Sequence, residues 1–184
     1  MAENSGSVPM DEAERERLLA LYNLEDHLFT CVHEKFKQRK HISPFDFYCV
    51  VYWKSNRNRK GIREGLGKSD PGKLFDEVRE ARKPKAKVEA LIKVKGIGIA
   101  IASAILAVCY PEEYSVVDSL VFKLVKKWGY LSDASLNVGG YLRYNEWCLE
   151  RRDEWRIKLR EVDRIVWRKA WEEGLKGWLS GAGQ

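Results

Sequence analysis

The chain has 184 residues, 45% of them hydrophobic, with 33 Lys and Arg against 27 Asp and Glu for a net charge of +6. That length and composition support the core of one domain or of two closely packed lobes, and the basic excess favours a polyanionic partner without specifying it. No run approaches the roughly 20 consecutive apolar residues a membrane span needs, so no membrane-spanning helix is expected. The start, MAENSGSVPMDEAERER, is polar and acidic and unlike a secretory leader, so an intracellular location is expected. The four cysteines, Cys31, Cys49, Cys109 and Cys148, are scattered beside apolar runs and read as buried thiols rather than disulfides. His27, His33 and His41 have no cysteine partners at zinc spacing, so neither a metal site nor a cofactor is expected.

In chain order, residues 1 to about 10 lack periodicity and are expected to be disordered; residues 11 to 184 form one helical domain. From Asp11 to about Lys40, Leu18, Leu21, Leu28, Val32 and Phe36 recur at the spacing of one long helix or two short ones. Ser43-Pro44 is a helix start, with a hydroxyl to cap, a proline pre-set for the first turn and Asp46 near the positive end. The helix that follows, FDFYCVVYW, is apolar all round, which predicts a central position. It runs into a basic stretch, KSNRNRKGIR, over residues 54–63. Asp70-Pro71 repeats the start signal ahead of a short helix, LFDEV, and residues 82–87 read as a basic connector broken by Pro84. Helices then follow from Val88 to Lys93 and from Ile99 to Cys109, around a tight turn at Gly96-Ile97-Gly98. After the loop YPEEYSVV, Val121, Leu124, Val125 and Trp128 lie at helical spacing. Gly139-Gly140 marks a break, and residues 141–179 make one or two amphipathic helices rich in Trp and Arg. With no alternating strand and no internal repeat, the expected fold is all-α.

The segment AKVEALIKVKGIGIAIASAILAV is the most informative. Two glycines between short helices let the chain reverse at conformations closed to residues with side chains, and on this reading a β-branched residue at either glycine blocks the turn. The second helix then opens with amides that lack internal partners, and these together with the helix dipole favour a phosphate. Lys93 and Lys95 add charge beside it, while Ala100, Ala102, Ser103 and Ala104 allow close helix packing. An ordinary helical hairpin is the competing reading. The flanking lysines and the Ala-rich second helix favour the phosphate-binding one.

From the hairpin onward, VKGIGIAIASAILAVCYPEEYSVVDSLVFKLV resembles the helix-hairpin-helix, Gly/Pro-rich loop and aspartate signature of base-excision DNA glycosylases. The match covers residues 86–128, with the hairpin at 86–109 and the Val117-Asp118 pair 18 residues beyond Ala100. The resemblance implies a two-lobed helical fold that binds double-stranded DNA carrying a damaged, mismatched or modified base. It implies that Asp118 stabilises positive charge developing on the sugar as the N-glycosidic bond breaks. The alternative for Asp118 is a helix cap alone. Family members that also nick the strand carry a lysine where this chain has Ala100, so the chain resembles a monofunctional enzyme that uses water. Other members hold an iron–sulfur cluster on four C-terminal cysteines; only Cys148 lies in that region, and no cluster is expected.

The resemblance also suggests secondary site residues. Ser55 or Asn56, at the end of the aromatic helix, is a candidate wedge into the duplex, and Arg57, Arg59 and Lys60 are candidate phosphate contacts. Phe47, Tyr48, Tyr52 and Trp53 are candidates for the slot that receives a flipped base. Trp147, Trp155, Trp167, Trp171 and Trp178 read mostly as packing residues, and Arg151-Arg152 as a solvated face. A monomer is expected. The interval between the aromatic helix and the hairpin is short, which keeps a non-catalytic DNA- or lesion-binding module as the alternative. A structural helical protein whose basic faces bind protein or RNA is a third reading.

Overall fold

A computed structural model describes residues 11–55, 59–67 and 71–181. All regular structure among them is helical: α1 (Glu12–Tyr22), α2 (Leu24–His27), a π-helical turn (Leu28–Val32), α3 (His33–Arg39), α4 (Pro44–Lys54), α5 (Arg59–Leu66), α6 (Pro71–Glu80), α7 (Pro84–Ile92), α8 (Ile99–Cys109), α9 (Ser119–Lys127), α10 (Val138–Trp155) and α11 (Leu159–Leu179). No helix among the described residues is long and apolar enough to cross a membrane. Residues 1–10 and Asp70 lie outside the described residues, so the expectations placed on them are not addressed.

The axis of the core is α8. Every residue from Ile101 to Cys109 is buried, and α3, α4, α7 and the π-turn pack around it. Small side chains at Ala102, Ser103 and Ala104 permit that close approach on several sides. The central position predicted for α4 therefore belongs to α8. α4 begins as expected, with Ser43 Oγ accepting from the Asp46 amide at 3.1 Å, and it buries Asp46, Phe47, Val50 and Val51. Its opposite face leaves Phe45 and Tyr52 exposed, so it lies on the flank of the core.

The first predicted helix is a broken series. Leu28, Val32 and Phe36 are buried as the spacing requires, but α1 buries nothing and Leu18 is exposed. The π-turn inserts one extra residue into the helical register, which keeps Leu28 and Val32 in the core and turns Phe29 onto Trp53, with ring centroids 5.7 Å apart.

Three other boundaries differ from the sequence expectation. Pro84 opens α7 at its first turn instead of breaking a connector, because proline's missing amide costs nothing there. Gly139 and Gly140 lie in the first turn of α10, capped by Asn137; a side chain on Gly140 would collide with the Ser135 carbonyl, so glycine is there for close approach. Residues 59–66 form α5, a helix absent from the sequence reading. Its Gly61 and Gly65 face the hairpin turn, and a Cβ on Gly65 would come within 2.7 Å of the Lys95 backbone.

The C-terminal tryptophans divide. Trp147 is buried, whereas Trp155, Trp167, Trp171 and Trp178 are exposed, as is Trp128 on α9. Their helices bury a narrower stripe than the aromatic content suggested: Leu159, Val162, Val166 and Ala170 on α11. Arg151 is not a solvated residue; its guanidinium lies 5.7 Å from the Trp147 ring and 5.8 Å from Tyr130, and Arg152 donates to the Glu112 carbonyl at 3.0 Å. Cys109 and Cys148 are buried thiols, Cys49 is half-buried and Cys31 is exposed; all four are free.

The two hairpin glycines are not equivalent. Gly96 has φ +92°, and an added Cβ would sit 2.7 Å from the Ile62 amide of α5. Gly98, the cap position of α8, has φ −91° and nothing within 4 Å of an added Cβ, which corrects the expectation that both require glycine to turn the chain. Gly96→Ala is expected to lower stability by about 1–3 kcal/mol through strain and displacement of α5, while Gly98→Ala leaves the melting temperature essentially unchanged. Thermal unfolding of both variants by circular dichroism checks the contrast.

Candidate functional site

Between α8 and α9 the chain runs through residues 110–118, where Tyr114, Ser115, Val116 and Val117 are buried without a strand partner. Side chains from three helices supply the bonds a sheet would give. Asn145 Oδ1 accepts from the Ser115 amide at 2.6 Å and from its hydroxyl at 2.9 Å, and Asn145 Nδ2 donates to the Glu113 carbonyl. Asp163 Oδ2 accepts from the Val116 amide at 2.8 Å, and Ser103 Oγ accepts from the Val117 amide at 3.1 Å. The Tyr141 hydroxyl donates to the Ser115 carbonyl at 3.0 Å. The loop thus delivers Asp118 from a rigid mount.

Asp118 uses its two oxygens differently. Oδ1 accepts from the Leu120 and Val121 amides at 2.9 and 3.1 Å and caps α9, as the helix-cap reading required. Oδ2 accepts from Lys54 Nζ, at the end of α4, at 3.3 Å. The Asp118 side chain is 28% exposed and that of Lys54 13%. Burial pulls the Lys54 amine below the ordinary 10.5, with the Asp118 carboxylate opposing part of that shift.

Two cavities meet at this pair. One of about 620 Å³ is lined by Ser55, Ala100, Asp118 and Ser119 together with Tyr52, Trp53, Lys54 and Leu136. The other, about 700 Å³, adds Glu25, Arg160, Arg164 and Trp167 around Trp53, Lys54 and Asp118. In its wall the Arg160 guanidinium stacks 5.3 Å from Trp53 and 5.0 Å from Phe29 while pairing with Glu25 at 2.6 Å and with Asp163. Arg164 also pairs with Glu25, at 2.7 Å. Burial raises the Glu25 carboxyl, but Arg160 and Arg164 outweigh it and hold the group below 4.5.

The predicted site residues fall into four places. Asp118, Ala100, Ser55, Tyr52 and Trp53 share one cavity. Tyr48 and Tyr52 meet Lys60 and Arg63 in a separate shallow groove of about 560 Å³. Phe47 is withdrawn from the proposed base slot: it is fully buried in the core, with its ring against Phe75 of α6 and Tyr48. Lys93, Lys95, Gly96 and Gly98 surround the opening of α8, whose first amides receive no side-chain cap among the described residues. Lys95 pairs with Glu64 of α5 at 3.0 Å, yet its side chain stays 72% exposed. Asn56 and Arg57 lie outside the described residues, as does the side chain of Arg59. Lys54, Glu25, Arg160 and Asp163 were missed by the sequence reading, and only Lys54 carried a local signal, as a lone cation ending an apolar helix. Among the described residues no group of three or more His, Cys, Asp or Glu could hold a metal ion.

No protein-family model matches the chain, and no solved structure matches it.

The Glu25 pairing gives a pH test. A carboxyl held below its ordinary value stabilises the fold fully above 4.5, and that contribution disappears as pH falls through the lowered value. Glu25→Gln is therefore expected to be less stable than wild type near pH ~7, with the difference closing as the pH falls below 4.5. Urea unfolding midpoints of the two proteins across that range measure it.

Proposed function

We propose that this protein is a DNA glycosylase of the helix-hairpin-helix kind, built on two packed helical lobes, which hydrolyses the N-glycosidic bond of a damaged, mismatched or modified base in duplex DNA. The observation that carries the reading is the shared cavity of Ala100 and Asp118: the first turn of the hairpin's second helix and the loop-mounted carboxylate face the same space. A phosphate held on the opening amides of α8 brings its own sugar to Asp118 rather than to a distant surface. Gly98 supports this role, since its missing side chain opens onto bare surface and spares room for a ligand rather than for the fold.

In the reaction, Asp118 Oδ2 faces the sugar carbon as the bond to the base lengthens and positive charge grows there. Oδ1 stays bonded to the α9 amides, which fixes the orientation of the carboxylate. Ala100 offers no amine at its position, so water is the nucleophile that completes base release. The slot beside Trp53, with Glu25 and Arg160 behind it, supplies an aromatic face and hydrogen-bonding groups for an extruded base.

Incubation with a panel of lesion-bearing duplexes, followed by alkali, is expected to reveal labile abasic sites with at least one substrate. Asp118→Asn retains the cap and DNA binding and loses excision by about 100-fold or more. Gly98→Val is expected to remain folded while weakening duplex binding, and Lys95→Ala to reduce the salt slope of binding by about one phosphate contact. Tight duplex binding with no excision of any substrate would establish instead a non-catalytic binding module. Wild-type excision by Asp118→Asn would reduce Asp118 to a cap.

A further inference from the structure

We propose that Lys54 is a nucleophilic amine which forms an imine with the ring-opened sugar of an abasic site and breaks the adjoining strand by β-elimination. The inference rests on the reading of the Asp118 cleft as the place where a nucleotide sugar sits, and it adds an activity that Ala100 alone argues against.

The geometry comes first. Lys54 ends α4 and pairs with Asp118, and its side chain lines the same cavity as Ala100, whose methyl group leaves that wall without an amine of its own. It lies in the wall common to both cavities, within reach of whatever reacts at Asp118 Oδ2, 3.3 Å away. The other lysines near the DNA-binding candidates are unlike it: Lys95 and Lys60 have mostly exposed side chains suited to phosphates. A cation that only tied α4 to α9 could sit at the rim and stay hydrated, whereas this one is taken out of water.

The electrostatic setting suits the chemistry. Burial disfavours the ammonium, and Arg160 of α11 adds to that; Asp118 of the loop and Glu25 of α2 act the other way. The net displacement is toward the neutral amine, the form that attacks carbonyls. Lys54 gives up a proton to solvent, and its lone pair attacks C1′ of the open-chain aldehyde. The C1′ oxygen leaves as water and a C=N bond remains. Asp118 takes a proton from C2′, the electron pair forms the C2′–C3′ double bond, and the C3′–O bond breaks to release the phosphate-terminated strand. Hydrolysis of the imine returns the free lysine. No electrons are gained or lost overall.

The experiment uses the full chain and a duplex carrying a preformed abasic site, so that base excision is bypassed, with borohydride to reduce the imine to a stable secondary amine. Wild type is expected to give a covalent adduct that maps to Lys54 by peptide mass analysis. The adduct rate should rise with pH and level off below the ordinary lysine value of 10.5. Lys54→Arg preserves the charge and the pair with Asp118, keeps duplex binding, and is expected to form no adduct; Lys37→Ala, at an exposed position of α3, forms it at the wild-type rate. An adduct that persists in Lys54→Arg, or none with wild type, overturns the proposal. Excision without an adduct leaves the glycosylase reading standing and this one refuted; an adduct at Lys54 without excision does the reverse.

Discussion

A buried segment outside any helix has a row of backbone amides and carbonyls that must find partners or destabilise the fold by about 1–3 kcal/mol each. Residues 114–117 and the neighbouring Glu113 carbonyl meet that requirement through Asn145, Tyr141 and Tyr144 of α10, Asp163 of α11 and Ser103 of α8. Much of the molecule follows from this. α10 must place its polar residues inward at Asn145 and α11 at Asp163, both buried, and α8 must carry a serine within an otherwise apolar run. The segment ends at Asp118, so the carboxylate is the terminus of a clamp that three helices hold.

The clamp also explains how separate regions converge. Ser103 joins the loop to the same helix whose first turn closes the hairpin, which couples the position of Asp118 to that of the α8 amides. α5 buttresses the turn through Gly61 and Gly65, and α4 delivers Trp53 and Lys54 to the cavity that holds the carboxylate. Arg160 closes the circuit by pairing with Asp163 of the clamp and Glu25 near the N-terminus while stacking on Trp53. A charged network of this kind costs desolvation, and it returns a single fixed arrangement of the cleft wall.

The sequence revealed what local chemistry dictates. Ser43-Pro44 and Asp118 are legible as helix starts because a cap and its amides lie within three residues of each other. The hairpin and the all-helical character follow from spacing and glycine. What stayed hidden depends on distant partners. Asn145 bonds a residue 30 positions away and Asp163 one 47 away, and neither looks unusual on its own helix. Gly96 and Gly98 look alike in the sequence, and the positive φ of Gly96 together with the approach of α5 separates the one the fold requires to be glycine from the one it does not. Phe47 and Tyr52 are both aromatic residues of α4, yet the core takes one and the surface the other. Lys54 reads as the first residue of a basic stretch because nothing local reports that the loop ahead of α9 lies against it.

Under the proposed function, the hairpin amides and the clamped carboxylate act on one nucleotide. The most direct measurement is a crystal structure of Asp118→Asn bound to a duplex with a non-cleavable abasic-site analogue. A backbone phosphate is expected on the first turn of α8 beside Gly98, with the analogue's ring between Ala100 and the substituted position 118. DNA bound elsewhere, such as along the exposed tryptophans of α11 with the hairpin untouched, would contradict it.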